Sequence, residues 1–208
     1  MRLPHPMYGL YERRLAASLP VDRVPRHVGV ILDGNRRWAR SVGLSSATGH
    51  RAGAQKIADL LEWSEAIGVE VVTLWMLSTD NLSRDPEELD ALLEIIEDTV
   101  LELASCGRWR LQPMGSLDRL PDHTVDALRA AQERTAGVVG LHVNVAVGYG
   151  GRQEITDAVR AVLRQQAAAG TSLEELAEAF EVDHIAEHLY TKGQPDPELM
   201  IRTSGEQR

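Results

Sequence analysis

HVGVILDGNRRWAR, residues 27–40, sets an apolar run, Val28 to Leu32, directly against a carboxylate, a glycine, an amide and two guanidinium groups. An apolar run closed by Asp33-Gly34-Asn35 predicts a buried strand that ends at a turn. Val69–Leu77 is a second such run, near-continuously apolar, as a sheet covered on both faces requires. Leu141–Val147 is a third, and Arg108–Met114 and Leu199–Thr203 are shorter. Between them the apolar period changes to that of a helix. From Gly49 to Ile67, Ala54, Ile57, Leu60, Leu61 and Ser64 recur at helical spacing and Gly68 supplies the stop. Asp85-Pro86-Glu87-Glu88 opens another helix, with Asp85 as N-cap, Pro86 at the first position and Glu88 at capping-box spacing. Helices are also expected over Tyr8–Ala17, Asp122–Thr135, from Gly151 through Gln166, Ser172–Phe180 and Asp183–Leu189. Strands alternating with helices predict an α/β fold, a central, mostly parallel sheet wrapped by helices and joined by right-handed crossovers.

The 208 residues, 43% of them hydrophobic, suffice for one sizeable core, so residues 1–208 are expected to form a single domain. A formal charge of −9 argues against a nucleic-acid partner. Cys106 is the only cysteine, which excludes a disulfide framework and a multi-cysteine metal site. The first ten residues lack the apolar core of a signal peptide, and no window is long and apolar enough for a transmembrane segment. A soluble, cytoplasmic domain is therefore expected. Lys56 and Lys192 are the only lysines, so nearly all of the 22 basic residues are arginines. Codon bias explains that total, and only individually placed arginines count as signals.

Ligands of parallel sheets sit at the carboxyl ends of the strands. Four segments occupy such ends: Asp33–Trp38, Ser78–Arg84, Gly148–Arg152 and Arg202–Arg208. In the first, backbone donors at the next helix start and two guanidinium forks suit a diphosphate. Asp33 would repel that ligand unless a divalent cation lay between them, and Mg²⁺ is content with one carboxylate plus phosphate oxygens. A simple turn with solvated arginines fits those residues equally well. The second segment, taken alone, reads as a polar loop leading into a capped helix. Three arginine-bearing segments around one acid point to an anionic ligand with more than one phosphate. Gly148-Tyr149-Gly150 lacks the third glycine of a dinucleotide loop, since Gln153 stands there. His184-Ile185-Ala186-Glu187-His188 fits a zinc-protease pattern but reads as a solvated helix face. His27 and His142 read as satisfied polar groups within strands.

HVGVILDGNRRWAR (27–40), GHRAGAQKI (49–57), LSTDNLSRDPEEL (77–89), VNVAVGYGGRQEI (143–155) and PDPELMIRTSGEQR (195–208) together resemble the cis-prenyltransferases. These are the Z-isoprenyl diphosphate synthases, typified by undecaprenyl diphosphate synthase. The blocks are collinear from about residue 25 onward, and the wording is most similar to the actinobacterial short-chain Z,E-farnesyl diphosphate synthases. The resemblance implies Mg²⁺-dependent condensation of isopentenyl diphosphate onto an allylic diphosphate such as geranyl diphosphate, with a new cis double bond, in a homodimer. It implies Asp33 as the magnesium-binding catalytic acid. Gly34, Asn35, Arg36, Arg37, Trp38 and His50 would line the allylic diphosphate site. Ser78, Thr79, Asp80, Asn81 and Arg84 belong to the family's second block, with Asn81 assigned to proton removal. Arg202 and Arg208 would hold isopentenyl diphosphate. Met76 would block the tunnel for the growing tail and favour a product of about fifteen carbons, by family analogy. Membrane contact would be peripheral, through the lipid product.

The sequence departs from the family at several points. Arg36 replaces a glycine of the general family, Ser46 a phosphate-binding arginine of long-chain members, Leu82 a tryptophan and Asp80 a glutamate. The family continues past Arg208 with a second magnesium-binding glutamate, so the expectation is a chain truncated before that segment. Long-chain synthesis of decaprenyl or undecaprenyl diphosphate, a branching condensation of two allylic units, and a catalytically silent accessory subunit remain alternatives at this level.

Overall fold

A computed structural model describes residues 5–204, with side chains throughout except at 5–8, 12, 13 and 21. Among the described residues, β1 (His27–Ile31), β2 (Val71–Ser78), β3 (Arg110–Met114), β4 (His142–Tyr149) and β5 (Leu199–Arg202) form one sheet. Its order is β3-β4-β2-β1-β5 and each pairing is parallel. Gly29 of β1 stands opposite both Thr73 of β2 and Met200 of β5, and Thr73 stands opposite Asn144 of β4.

The helices are α1 (His5–Ser18), α2 (Asn35–Ser41), α3 (Ser46–Ala54), α4 (Ile57–Ile67), α5 (Pro86–Cys106), α6 (Asp122–Thr135), α7 (Gly151–Ala169), α8 (Leu173–Ala179) and α9 (Val182–Ala186). The α5 cap forms as its residues dictate, Asp85 accepting the backbone N–H of Glu87 and Glu88. The core is built from Val30, Val72, Leu74, Val143 and Val145 of the sheet against Leu61 of α4, Leu93 and Ile96 of α5 and Leu128 of α6. Each of these is nearly or fully buried. By contrast, Leu199, Met200 and Ile201 of the edge strand β5 are all exposed by more than a third.

One expected helix is two. The helical period through Gly49–Ile67 breaks at Gln55 and Lys56, which cap α3 and α4 respectively. The two halves have different surfaces to meet. α4 carries Ile57 and Leu61 into the core, whereas α3 lies on α2 and α5. Gly49 and Gly53 of α3 sit so close to Asn35 that an added Cβ would overlap its backbone carbonyl or its amide. One straight helix could not serve both surfaces.

A polar row crosses the amino-terminal half of the sheet. His27 is fully buried. Its Nδ1 donates to the Pro195 carbonyl at 2.7 Å, so its Nε2 accepts from the Thr73 hydroxyl at 2.8 Å. Thr73 in turn accepts from the Asn144 amide at 3.0 Å, and Asn144 exchanges two bonds with Gln194. His142 Nε2 donates to Gln112, whose amide donates to the Tyr190 carbonyl. Both strand histidines are thus hydrogen-bonded polar groups, and the row ties the segment 190–195 beneath the sheet.

Candidate active site

β1 delivers Asp33 to the carboxyl edge of the sheet, and a left-handed Gly34 (φ 90°) turns the chain into α2. A Cβ on Gly34 would also press on Ser204, at 3.2–3.3 Å. The backbone of Asp33 is fastened by Thr203, whose hydroxyl accepts the Asp33 N–H at 2.9 Å and donates to its carbonyl at 2.6 Å. The carboxylate is held as well. Oδ1 accepts the Gly34 N–H at 2.6 Å, and Oδ2 accepts Arg202 Nε at 3.0 Å and its terminal nitrogen at 2.6 Å. Arg37 lies 3.9 Å from the same oxygen. Chiefly through the Arg202 hydrogen bonds, the Asp33 carboxyl is held below the usual carboxylate range.

A cleft of about 790 Å³ opens beside Asp33. Gly34, Asn35, Arg36 and Arg37 form one wall with it, and Ser78, Asp80, Asn81 and Arg84 line it from the end of β2. His50, Met76 and Arg202 complete the expected set on its surface. Two expected residues are not on the cleft wall. Trp38 is half exposed on α2, and Thr79 packs against Gly150 instead. Arg208 lies outside the described residues. None of Gly148–Arg152 lines the cleft, so only three of the four strand-end segments meet there. The end of β4 lies across β2 from β1 and β5, and Thr79 packs against it at Gly150.

Arg36, Arg37, Arg40, Arg84 and Arg202 face the cleft against Asp33 and Asp80, a local excess of positive charge in an acidic chain. Glu88 of α5 spans two of them, accepting from Arg36 at 3.1 Å and Arg84 at 3.3 Å. Its carboxylate therefore faces the arginines rather than returning to the helix cap, as the Asp85–Glu88 spacing suggests. Arg84 also donates Nε to the Asn81 side-chain oxygen at 3.1 Å, and the Asn81 N–H donates to Ser78 Oγ at 3.3 Å. Burial first, then the neighbouring Arg36, lower the Arg84 pKa from its ordinary value. Burial, Arg84 and Arg36 in that order also lower that of His50. His50 Nε2 is buried with no hydrogen-bond partner among the described residues.

Several contributors carry no distinct signal in the sequence. Arg40 of α2 and Leu92 of α5 line the cleft as well. Trp75 does so too, held edge-on by Tyr149 with 5.1 Å between ring centres. Tyr149 donates at 2.6 Å to Glu154, a buried carboxylate on α7 that also accepts the Tyr190 N–H. Behind Met76 and Leu92 lies a recess of only about 20 Å³, closed by Ile57, Ile95 and Ile96. The His184–His188 pattern is engaged in hydrogen bonds within the protein. His184 accepts the Glu181 N–H, both His188 ring nitrogens meet protein oxygens, and no three metal-ligating side chains cluster among the described residues.

The family model described as putative undecaprenyl diphosphate synthase matches residues 31–208, which include all three cleft-forming segments. The chain belongs to the cis-prenyltransferase family. A (2Z,6E)-farnesyl diphosphate synthase from Thermobifida fusca is 63% identical to it over 98% of this chain and 80% of that protein. A short-chain Z-isoprenyl diphosphate synthase from Mycobacterium leprae is 53% identical over 100% of this chain and 80% of that protein. Among solved cis-prenyltransferases, lavandulyl diphosphate synthase from Lavandula x intermedia in complex with dimethylallyl diphosphate superposes with a TM-score of 0.80. It is 32% identical, with 89% of this chain and 80% of that chain covered. No helix among the described residues of this cis-prenyltransferase is long and apolar enough to cross a membrane.

Proposed function

We propose that this chain condenses isopentenyl diphosphate with an allylic diphosphate, geranyl diphosphate for choice, to a short Z-prenyl diphosphate, (2Z,6E)-farnesyl diphosphate. The observation that carries this reading is the convergence of five arginines around Asp33 at the strand ends, in a chain 63% identical to a protein of that name. Arg36, Arg37 and Arg84, with His50, hold the allylic diphosphate, and Arg202 and Arg208 hold isopentenyl diphosphate. The allylic carbon–oxygen bond breaks with its electron pair moving to the departing diphosphate. The alkene of isopentenyl diphosphate forms the new carbon–carbon bond to the allylic carbon, and a proton leaves the neighbouring carbon. The arginines stabilise the charge that develops on the leaving group. Asn81, a neutral amide fixed by Arg84 and Ser78, is a poor base. Its role is to orient the substrate so that a diphosphate oxygen takes the proton.

Asp33 suits Mg²⁺ as a single hard carboxylate at the edge of a diphosphate-sized cationic cleft, the remaining ligands coming from water and phosphate. When bound, the ion supplies further positive charge at the leaving group. Met76 and Leu92 stand between the cleft and a recess with room for about one or two water molecules, which supports a short product. We take the working enzyme to be a cytoplasmic homodimer of single catalytic domains that touches membranes only through its lipid product.

The test is incubation with geranyl diphosphate, isopentenyl diphosphate and Mg²⁺, followed by mass spectrometry. A single product of about fifteen carbons, lengthened in Met76→Ala, is expected. A ladder of long products from the unaltered chain would discard the Met76 block. No product from several primers would transfer the reading to a silent partner subunit.

A further inference from the structure

Asp33 is the carboxylate that would meet a cation, yet both its oxygens already hold protein donors. Oδ1 takes the Gly34 N–H, and Oδ2 takes two N–H groups of Arg202 at 3.0 and 2.6 Å. Arg202 is aimed by the backbone: it ends β5, directly opposite Ile31 of β1. Thr203, the next residue, clamps the Asp33 backbone through both its N–H and its carbonyl. The guanidinium and the carboxylate are thus fixed on adjacent strand ends, in direct contact. A Mg²⁺ ion approaches a carboxylate oxygen to about 2.0–2.1 Å and gives up its water reluctantly. At Oδ2 it would have to displace one of two charge-assisted hydrogen bonds, and the Arg37 guanidinium lies 3.9 Å from the same oxygen. A diphosphate changes that balance, because it offers the Arg202 fork a second bidentate partner and offers the ion additional oxygens.

We propose that Arg202 is a latch on Asp33: its guanidinium and the divalent cation compete for Oδ2, so the cation binds weakly until a diphosphate draws Arg202 away. This deepens, and rests on, the reading of Asp33 as the metal carboxylate. By linkage, cation and diphosphate raise each other's affinity by the same factor. The latch keeps the cation from occupying the site before its substrate.

The test needs no turnover. Mn²⁺, titrated into the substrate-free full chain and followed by its electron paramagnetic resonance signal, reports the site directly. Weak binding is expected in the unaltered protein. Arg202→Gln should tighten it by about tenfold, the scale of one charge-assisted hydrogen bond. Arg202→Lys keeps the charge but not the fork, and should give a smaller gain. Arg37→Gln removes an equal charge near the same oxygen and should change the affinity by no more than about twofold, as expected of an ion pair at a half-exposed side chain. Asp33→Asn should abolish the site in each background. Unchanged affinity in both Arg202 variants, with Asp33→Asn still weakening it, overturns the latch and leaves the metal reading intact. An equal gain in Arg37→Gln and Arg202→Gln also overturns it, in favour of general charge repulsion. Binding insensitive to Asp33→Asn overturns the metal reading itself. Circular dichroism of each variant checks that the sheet is retained.

Discussion

The two ends of one parallel sheet solve opposite problems. At the amino ends, His27, Thr73, Asn144 and Gln194 are polar groups whose donors meet acceptors in sequence, in a region with almost no exposure at His27 and Asn144. At the carboxyl ends, the cleft gathers five arginines, holds Arg36, Arg84 and Arg202 on Glu88, Asn81 and Asp33, and leaves His50 Nε2 without a partner among the described residues. A buried polar group is tolerated when its partners are supplied by the fold, and unpaired or like-charged groups cost stability. The amino end therefore reads as structure. The carboxyl end carries unfavourable like-charge contacts that an incoming polyanion would relieve, which is what a binding site for diphosphates needs.

That contrast can be broken by substitution. The largest effect should come from Asp33→Ala, which we expect to lower turnover by more than about a thousandfold through lost charge stabilisation, with the circular dichroism spectrum unchanged. Retained turnover would remove Asp33 from the proposed chemistry. Arg84→Gln should raise the KM for the allylic diphosphate by about ten- to a hundredfold, the loss of a charge-assisted contact, with little cost to thermal stability. A large fall in melting temperature there would mean that the Arg36–Glu88–Arg84 group is structural. Thr73→Val inverts the pattern. It strands His27 Nε2 and an Asn144 N–H, and should cost about 1–3 kcal/mol in denaturant unfolding while activity per folded molecule stays the same.

The smallest effect is with pH. Burial lowers the native pKa of both His50 and His142, so the folded state disfavours their charged forms. The stability this neutrality confers is complete above the unfolded value of 6.5 and is lost as pH falls towards the depressed native values. Melting temperature should therefore decline between pH 6.5 and about 5.5, above the ordinary carboxylate range, and His142→Gln should decline less. An equal decline in that variant would assign the slope to other groups.

Much of this was legible in the chain. Apolar runs of strand length alternating with helical periods name an α/β sheet, because covering both faces of a parallel sheet demands that alternation. The turn after β1, the cap at Asp85 and the end of α6 at Thr135 lie where local chemistry puts them. The resemblance to cis-prenyltransferases, carried by five collinear blocks, agrees with the family to which the chain belongs. Residues 49–67 were less legible: apolar spacing shows which face is buried but not that two partners at different angles require a break.

What the sequence by itself determined is the set of elements and the strand ends where a ligand would sit, since period, caps and turns act over a few residues. Only the tertiary structure decided which strand ends meet. It brought Arg202 onto Asp33 across 169 residues, and set Glu88 between Arg36 and Arg84. It also turned Thr79 and Trp38 away from the cleft. The physical reason is that charge pairing and cavity volume depend on distances between side chains remote in sequence, and those distances follow from strand order and helix packing rather than from local pattern.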